Sequence, residues 1–271
     1  MDNPFIWIVE NLVKEKSYLA LTDEIERQNL PLYKINGDFY KNDLTFIKNA
    51  RVITNGSIEV CKLIKQHLSD STPVTYSTFE NYLCSVYYPY FEPYLFNDNY
   101  IMASLESVNR RKWWFYGLLG KESTMFIRPD SGDKTFKADL IDIQDWDEFY
   151  DSAQHLKNSL VLVSTPKNVV AEWRFVVTKY KEILGVSSYR FQGLTTRVPS
   201  APVGATEFVK EILEVGFYPD PVFCIDVVMD SDNNFWLMEL TSFSSAGLYA
   251  CKMENIVKRV KEIVTEDLKT P

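Results

Sequence analysis

Three observations in the sequence predict an α/β plus α+β fold class. Over residues 1–76, short apolar strands alternate with amphipathic helices, the pattern of an open α/β domain. From residue 77 to 271, strands come in adjacent groups separated by helices, which predicts a mixed and largely antiparallel second domain. Within that second domain, residues 223–242 read as a β-hairpin with an acid on each arm, Asp226 and Glu239.

The elements follow in order. Phe5-Ile-Trp-Ile-Val9 is a buried strand, and residues 16–28 place Leu19, Leu21 and Ile25 at helical spacing. Residues 32–35 and 50–54 are further strands, 57–68 a second helix, and 73–76 one more strand. No glycine-rich dinucleotide fingerprint follows the first strand. The aromatic run Tyr87-Tyr-Pro-Tyr-Phe-Glu-Pro-Tyr94 is broken by prolines and reads as a connecting loop. A helix over 107–119 carries Asn109-Arg-Arg-Lys112 in its first turns, a basic run whose default reading is a solvated face. Then come strand 124–128, loop 129–135, strand 136–143, helix 145–155, and strands 160–163, 169–178 and 182–190. Helix 205–215, the acidic hairpin and a terminal helix over 252–268 complete the chain.

Composition excludes several classes. The 271 residues are 46% hydrophobic, enough for a sizeable core. A net charge of −8 argues against a general nucleic-acid-binding surface. Cys61, Cys84, Cys224 and Cys251 form no CxxC pair, and His67 and His155 are the only histidines, so a zinc site is not expected. Scattered single cysteines fit reduced thiols, and no apolar run is long enough to span a membrane; the expected location is cytoplasmic.

The hairpin arms are apolar on both faces, so their acids should be buried, and a buried carboxylate needs a partner. No lysine or arginine lies within residues 223–242, which makes a metal ion the simplest partner. A turn centred on Asp232-Asn233 sets Asp226 opposite Glu239, on one face with Cys224 and Leu237, and leaves Asp230 and Asp232 solvated. The alternative is a half-exposed hairpin with solvated acids. Upstream, Arg128 ends a strand and leads into Pro-Asp-Ser-Gly-Asp-Lys134, a loop whose backbone and lysine could cradle phosphates or simply be solvated. In Glu172-Trp-Arg174, strand alternation puts both charges on one face, either paired with each other or facing an anionic ligand. Arg190 ends the next strand; read alone, it is a surface residue.

The order of these pieces resembles the ATP-grasp superfamily, and is most similar to its clade marked by one arginine and two lysines, common in phage and bacterial genomes. The resemblance spans roughly residues 77–265, and residues 1–76 fit the pre-grasp domain that precedes a two-lobed ATP-grasp domain. It implies an ATP-dependent carboxylate–amine ligase working through an acyl phosphate, with ATP and magnesium in the cleft between lobes and a small-molecule or peptide acid and an amine as substrates. An ATP-binding regulatory or interaction protein with reduced turnover is the alternative. By the same resemblance, Arg128 and Lys134 meet phosphates, and Val161, Leu162, Val163 and Ser164 form the hinge that contacts adenine. Glu172 and Arg174 match an acidic-x-Arg pair, and Arg190 matches an arginine that contacts phosphate or acceptor. Asp226 and Glu239 match the magnesium-binding acids. Thr241 stands where the family carries asparagine as a third ligand, which favours one magnesium over two.

Overall fold

The structure, a computed structural model, describes residues 5–11, 16–35, 45–47, 50–67 and 75–266. The first unit holds β1 (Phe5–Glu10), α1 (Lys16–Arg27), β2 (Leu32–Ile35), β3 (Arg51–Asn55) and α2 (Ile58–His67). Its three strands are parallel in the order β2-β1-β3. β1 is apolar on both faces because both are covered: Trp7 and Val9 enter one core, Ile8 another. α1 turns Tyr18, Leu21 and Ile25 inward at helical spacing, while Leu19 points to solvent. The helix stops at Asn29, whose φ of 52° is the left-handed conformation asparagine tolerates at a helix end. Of the strand expected over 73–76, residues 73 and 74 lie outside the described residues, and residues 75 and 76 are not in a strand.

The Tyr87–Tyr94 run corrects the reading as a loop. It forms most of helix α3 (Cys84–Phe91), with Pro89 inside it, followed by a 3-10 turn over Glu92–Tyr94. Pro89 removes one hydrogen bond from a two-turn helix. Burial of Cys84, Tyr87, Tyr88 and Phe91, spaced i, i+3, i+4, i+7 along one face, outweighs that loss.

β4 (Tyr100–Ser104), α4 (Leu105–Arg110), α5 (Lys112–Leu119), β5 (Thr124–Pro129), β6 (Asp139–Asp142), α6 (Trp146–Ala153) and β7 (Leu160–Ser164) make the small lobe. Its antiparallel sheet runs β4-β7-β5-β6. The expected single helix over 107–119 is two helices broken at Arg111, and the strand expected from residue 136 begins only at Asp139. Residues 130–138 are therefore one long loop between β5 and β6.

The large lobe contains β8 (Ala171–Thr178), β9 (Ile183–Phe191), β10 (Leu194–Val198), α7 (Val203–Glu214), β11 (Val222–Met229), β12 (Phe235–Ser242) and α8 (Met253–Glu266). Its antiparallel sheet runs β10-β9-β8-β11-β12. β10 is absent from the sequence reading; the Gln192-Gly193 turn that precedes it has φ of 48° and 77°, the left-handed pair that tight hairpins need. One face of this sheet packs against α3 and α7 through Trp173, Phe175, Ile225 and Val227. The other face divides along its length. At one end, Val176 and Cys224 join Trp7 and Leu21 of the first unit and Ile256 and Val260 of α8 in a shared core. At the other end, the same face carries Glu172, Arg174, Asp226 and Glu239. A continuous core thus seats the N-terminal unit against the sheet that bears the charged residues.

Candidate nucleotide site

The hairpin sets Asp226 directly opposite Glu239, as expected, though by another route. The turn pairs Met229 with Phe235 and Val227 with Leu237, a register that would match Asp226 with Met238. A bulge at Met238 shifts the pairing by one residue and brings in Glu239. The bulge also corrects one neighbour: Leu237 turns to the opposite face, into the core with Val227, and Thr241 is the residue that shares the face of Glu239 and Cys224. Asp230 lies in the exposed turn, as expected, and also organises it. Its carboxylate accepts the amides of Asp232 and Asn234, both at 2.9 Å, and the Trp236 indole at 2.7 Å.

The acids have cationic partners from neighbouring strands. Arg174 Nε donates to Asp226 Oδ1 at 2.7 Å and Nη2 to Oδ2 at 2.6 Å, a fully buried bidentate pair. The guanidinium also donates to the Gly247 carbonyl at 3.0 Å and lies 5.8 and 5.1 Å from the rings of Tyr189 and Tyr249. Arg174 therefore pairs with Asp226 across β8 and β11, and Glu172 pairs with Arg190 at 2.9 Å across β8 and β9. Glu239 takes Arg128 Nη2 at 3.2 Å, Lys134 Nζ at 3.0 Å and the Thr241 hydroxyl at 3.2 Å. Burial pushes the Glu239 carboxyl up, but Lys134, Arg128 and Arg174 together override it and hold it well below the usual carboxylate range. For Asp226 burial wins and raises the carboxyl above its ordinary value, against the pull of Arg174.

Between the lobes lies a cavity of about 450 Å³ lined by Phe96, Asn97, Phe126, Lys167, Val169 and Met238 among others, including the buried Glu172 and the exposed Arg190. It continues into a chamber of about 210 Å³ through Arg128, Lys137, Ala138 and Glu239, which line both. Arg128, Lys134 and Lys137 line that chamber together with Glu239; Arg128 and Lys134 pair with Glu239, and Lys137 pairs with Asp139 at 3.2 Å. Arg128 is buried, and its Nε has no hydrogen-bond partner, an unspent donor beside the cavity. The Asn97 amide nitrogen is likewise buried and unpartnered. A larger, open depression of about 640 Å³ beside α7 is lined by Glu207 and Glu211 and by no lysine or arginine, so it suits no phosphate.

The hinge expectation needs correction. Val161, Leu162, Val163 and Ser164 belong to β7, an interior strand of its sheet, and pair with β4 on one side and β5 on the other. Their backbone groups are spent in those ladders and all four residues are buried, so the cavity is lined further along the chain, by Lys167 and Val169. Sequence reasoning missed Lys137, Lys167 and Asn97 as site residues. Lys137 has a legible signal, lying three residues beyond Lys134 in a loop already read as phosphate-binding.

Among the described residues, no group of three or more His, Cys, Asp or Glu gathers to hold a metal by itself. That agrees with magnesium, which needs one or two carboxylates and takes its remaining ligands from water and phosphates. Glu239 faces the chamber and fits this role, with the Thr241 hydroxyl beside it. Asp226 lies beside Glu239 across the hairpin, but it lines neither cavity and both of its oxygens accept from Arg174.

A family profile for the ATP-grasp domain, family 2 of the clade marked by one arginine and two lysines, matches residues 110–259, more than half of the chain. The chain belongs to this ATP-grasp family. A search of curated proteins finds no significant match. Solved ATP-grasp structures share its fold across nearly its whole length. D-cycloserine synthetase DcsG superposes with a TM-score of 0.68 at 10% identity, covering 96% of this chain and 99% of its own. D-alanyl-alanine synthetase A from Vibrio cholerae gives 0.65 at 11% identity, with 98% of each chain covered. Macrocyclase MdnC bound with precursor peptide MdnA, from Microcystis aeruginosa, gives 0.60 at 11% identity over 97% of this chain and 99% of its own. These superpositions cover the N-terminal sheet as well as the two lobes of this ATP-grasp protein. No helix among the described residues is long and apolar enough to cross a membrane.

Proposed function

We propose that this ATP-grasp protein is an ATP-dependent carboxylate–amine ligase that forms an amide bond through an acyl phosphate. The observation that carries the reading is the chamber in which Arg128 and Lys134 converge on Glu239, with Lys137 also in its lining, at the end of a cavity large enough for a nucleoside. In the first step a substrate carboxylate attacks the γ-phosphorus of ATP, giving an acyl phosphate and ADP. In the second an amine attacks the acyl carbon, phosphate leaves, and the amine gives up a proton. The first step brings two anions together, and fixed cations in a water-poor cleft lower its cost. Arg128, Lys134 and Lys137 bind and orient the phosphates; Glu172 and Arg190, paired with each other, line the larger cavity. Arg174 holds Asp226 in place. Bound magnesium, held by Glu239 with Thr241, would neutralise charge on the transferred phosphoryl group. No side-chain nucleophile is required.

The test is ADP release from ATP in the presence of pooled carboxylates, with hydroxylamine as a generic amine that captures an acyl phosphate as its hydroxamate. Carboxylate-dependent ADP and hydroxamate support the reading; no ADP with any pool contradicts it. One observation favours a second reading, a nucleotide-binding protein with little turnover: both oxygens of Asp226 are engaged by Arg174. Magnesium-dependent ATP binding without ADP release would select it.

A further inference from the structure

Lys62 stands on α2 in the N-terminal unit, yet its ammonium pairs with Asp133 in the phosphate loop between β5 and β6. Other contacts fasten the same loop. Asp130 accepts the Ser85 amide at 2.9 Å and the Ser85 hydroxyl at 2.6 Å, at the start of α3. Asp133 also accepts the Ser131 hydroxyl. Gly132 approaches the connector so closely that a Cβ there would stand 2.3 Å from the Phe79 carbonyl oxygen. That connector is itself pinned, since Asp220 accepts the Thr78 amide at 3.1 Å, the Thr78 hydroxyl at 2.7 Å and the Tyr82 hydroxyl at 2.8 Å. Lys134 follows Asp133 with φ of 50°, a conformation that a non-glycine residue keeps only when its surroundings impose it. From there its ammonium reaches Glu239 at 3.0 Å.

We propose that Lys62 is a positioning residue for phosphate recognition: through Asp133 it fixes the phosphate loop, and so sets where Lys134 meets the terminal phosphates of the nucleotide. The proposal rests on the reading of the cleft as a nucleotide site. The loop is ordered mainly by polar contacts, and a segment with few buried apolar contacts opens cheaply when one of them is lost. The side chains of Lys62 and Asp133 are 47% and 26% exposed, so the pair adds little to global stability and its consequence is local.

The experiment compares Lys62→Ala and Lys62→Arg with wild type in the full chain. Calorimetry measures Mg-ATP and AMP binding, and hydrogen exchange follows the loop amides without nucleotide. An exposed pair of this kind predicts a loss of about three- to fivefold in ATP affinity for Lys62→Ala. AMP, which lacks the β- and γ-phosphates, should bind unchanged. Lys62→Arg should restore most of the ATP affinity, and loop amides should exchange faster in Lys62→Ala alone. A merely structural role would weaken ATP and AMP alike, and that result overturns the proposal, as does unchanged ATP affinity. If wild type binds no nucleotide, the nucleotide reading fails, and hydrogen exchange still decides the latch: unchanged loop exchange in Lys62→Ala overturns it.

Discussion

Replacing Arg174 with methionine removes one half of the buried pair on which the site is built. The Asp226 carboxylate is 1% exposed and the Arg174 side chain 7%, so the variant leaves a carboxylate with no cation and little water. Removing one partner of a buried pair costs about 3–5 kcal/mol. The Gly247 carbonyl also loses its donor, for about 1 kcal/mol more. Replacing both partners with apolar residues of similar volume is close to neutral in stability, because it removes the desolvation cost of both charges. The assay is urea unfolding followed by tryptophan fluorescence, on Arg174→Met, Asp226→Leu and the double variant. Arg174→Met should lose about 4–6 kcal/mol, Asp226→Leu about 3–5 kcal/mol, and the double variant about 1 kcal/mol, the share of the Gly247 carbonyl. Two results would refute the reasoning: single variants within about 1 kcal/mol of wild type, or a double variant that loses the sum of both. The same geometry makes Asp226→Asn a poor probe of catalysis, since it unbalances a buried arginine.

Other consequences are open to direct measurement. Glu239→Gln keeps the shape of the side chain but leaves the buried Arg128 without its acid, so it should abolish magnesium-dependent ATP turnover and lower the thermal midpoint at neutral pH; turnover at the wild-type rate would remove Glu239 from the site. Because the folded-state value of Glu239 is held below its ordinary one, the stability it contributes is full above pH about 4.3 and is lost as pH falls through the lower folded value. Glu239→Gln should therefore flatten the fall in urea midpoint between neutral and acid pH, and an unchanged slope would contradict the assignment. Gly132→Ala places a Cβ against the Phe79 carbonyl and should loosen the phosphate loop, seen as faster amide exchange there. Burial pushes the thiols of Cys61 and Cys251 up to about 12 and raises those of Cys84 and Cys224, so a thiol reagent at mildly alkaline pH should label none of the four until the chain is unfolded.

Legibility in the sequence follows physical range. Strands and helices whose apolar pattern is local, such as β1, α1 and both hairpin arms, are readable within a residue or two. The facing of Asp226 and Glu239 is readable too, although the Met238 bulge that produces it is not, since a bulge leaves no mark in alternation. The partners of the acids are not legible. Arg174 lies on a different strand, 52 residues before Asp226, and its pairing depends on sheet order rather than on spacing. α3 is hidden because Pro89 dominates a reading that the spacing of Cys84, Tyr87, Tyr88 and Phe91 should overrule. The hinge is placed too early because an apolar run looks alike whether its backbone is free or paired on both sides; only the positions of β4 and β5 show that Val161–Ser164 is enclosed.

The most direct test of the central claim is a crystal structure with a non-hydrolysable ATP analogue and magnesium. The base should lie beside Phe126, Lys167 and Met238, the phosphates among Arg128, Lys134 and Lys137, and the metal on Glu239. A nucleotide bound elsewhere, or a metal that makes no contact with Glu239, would contradict that claim.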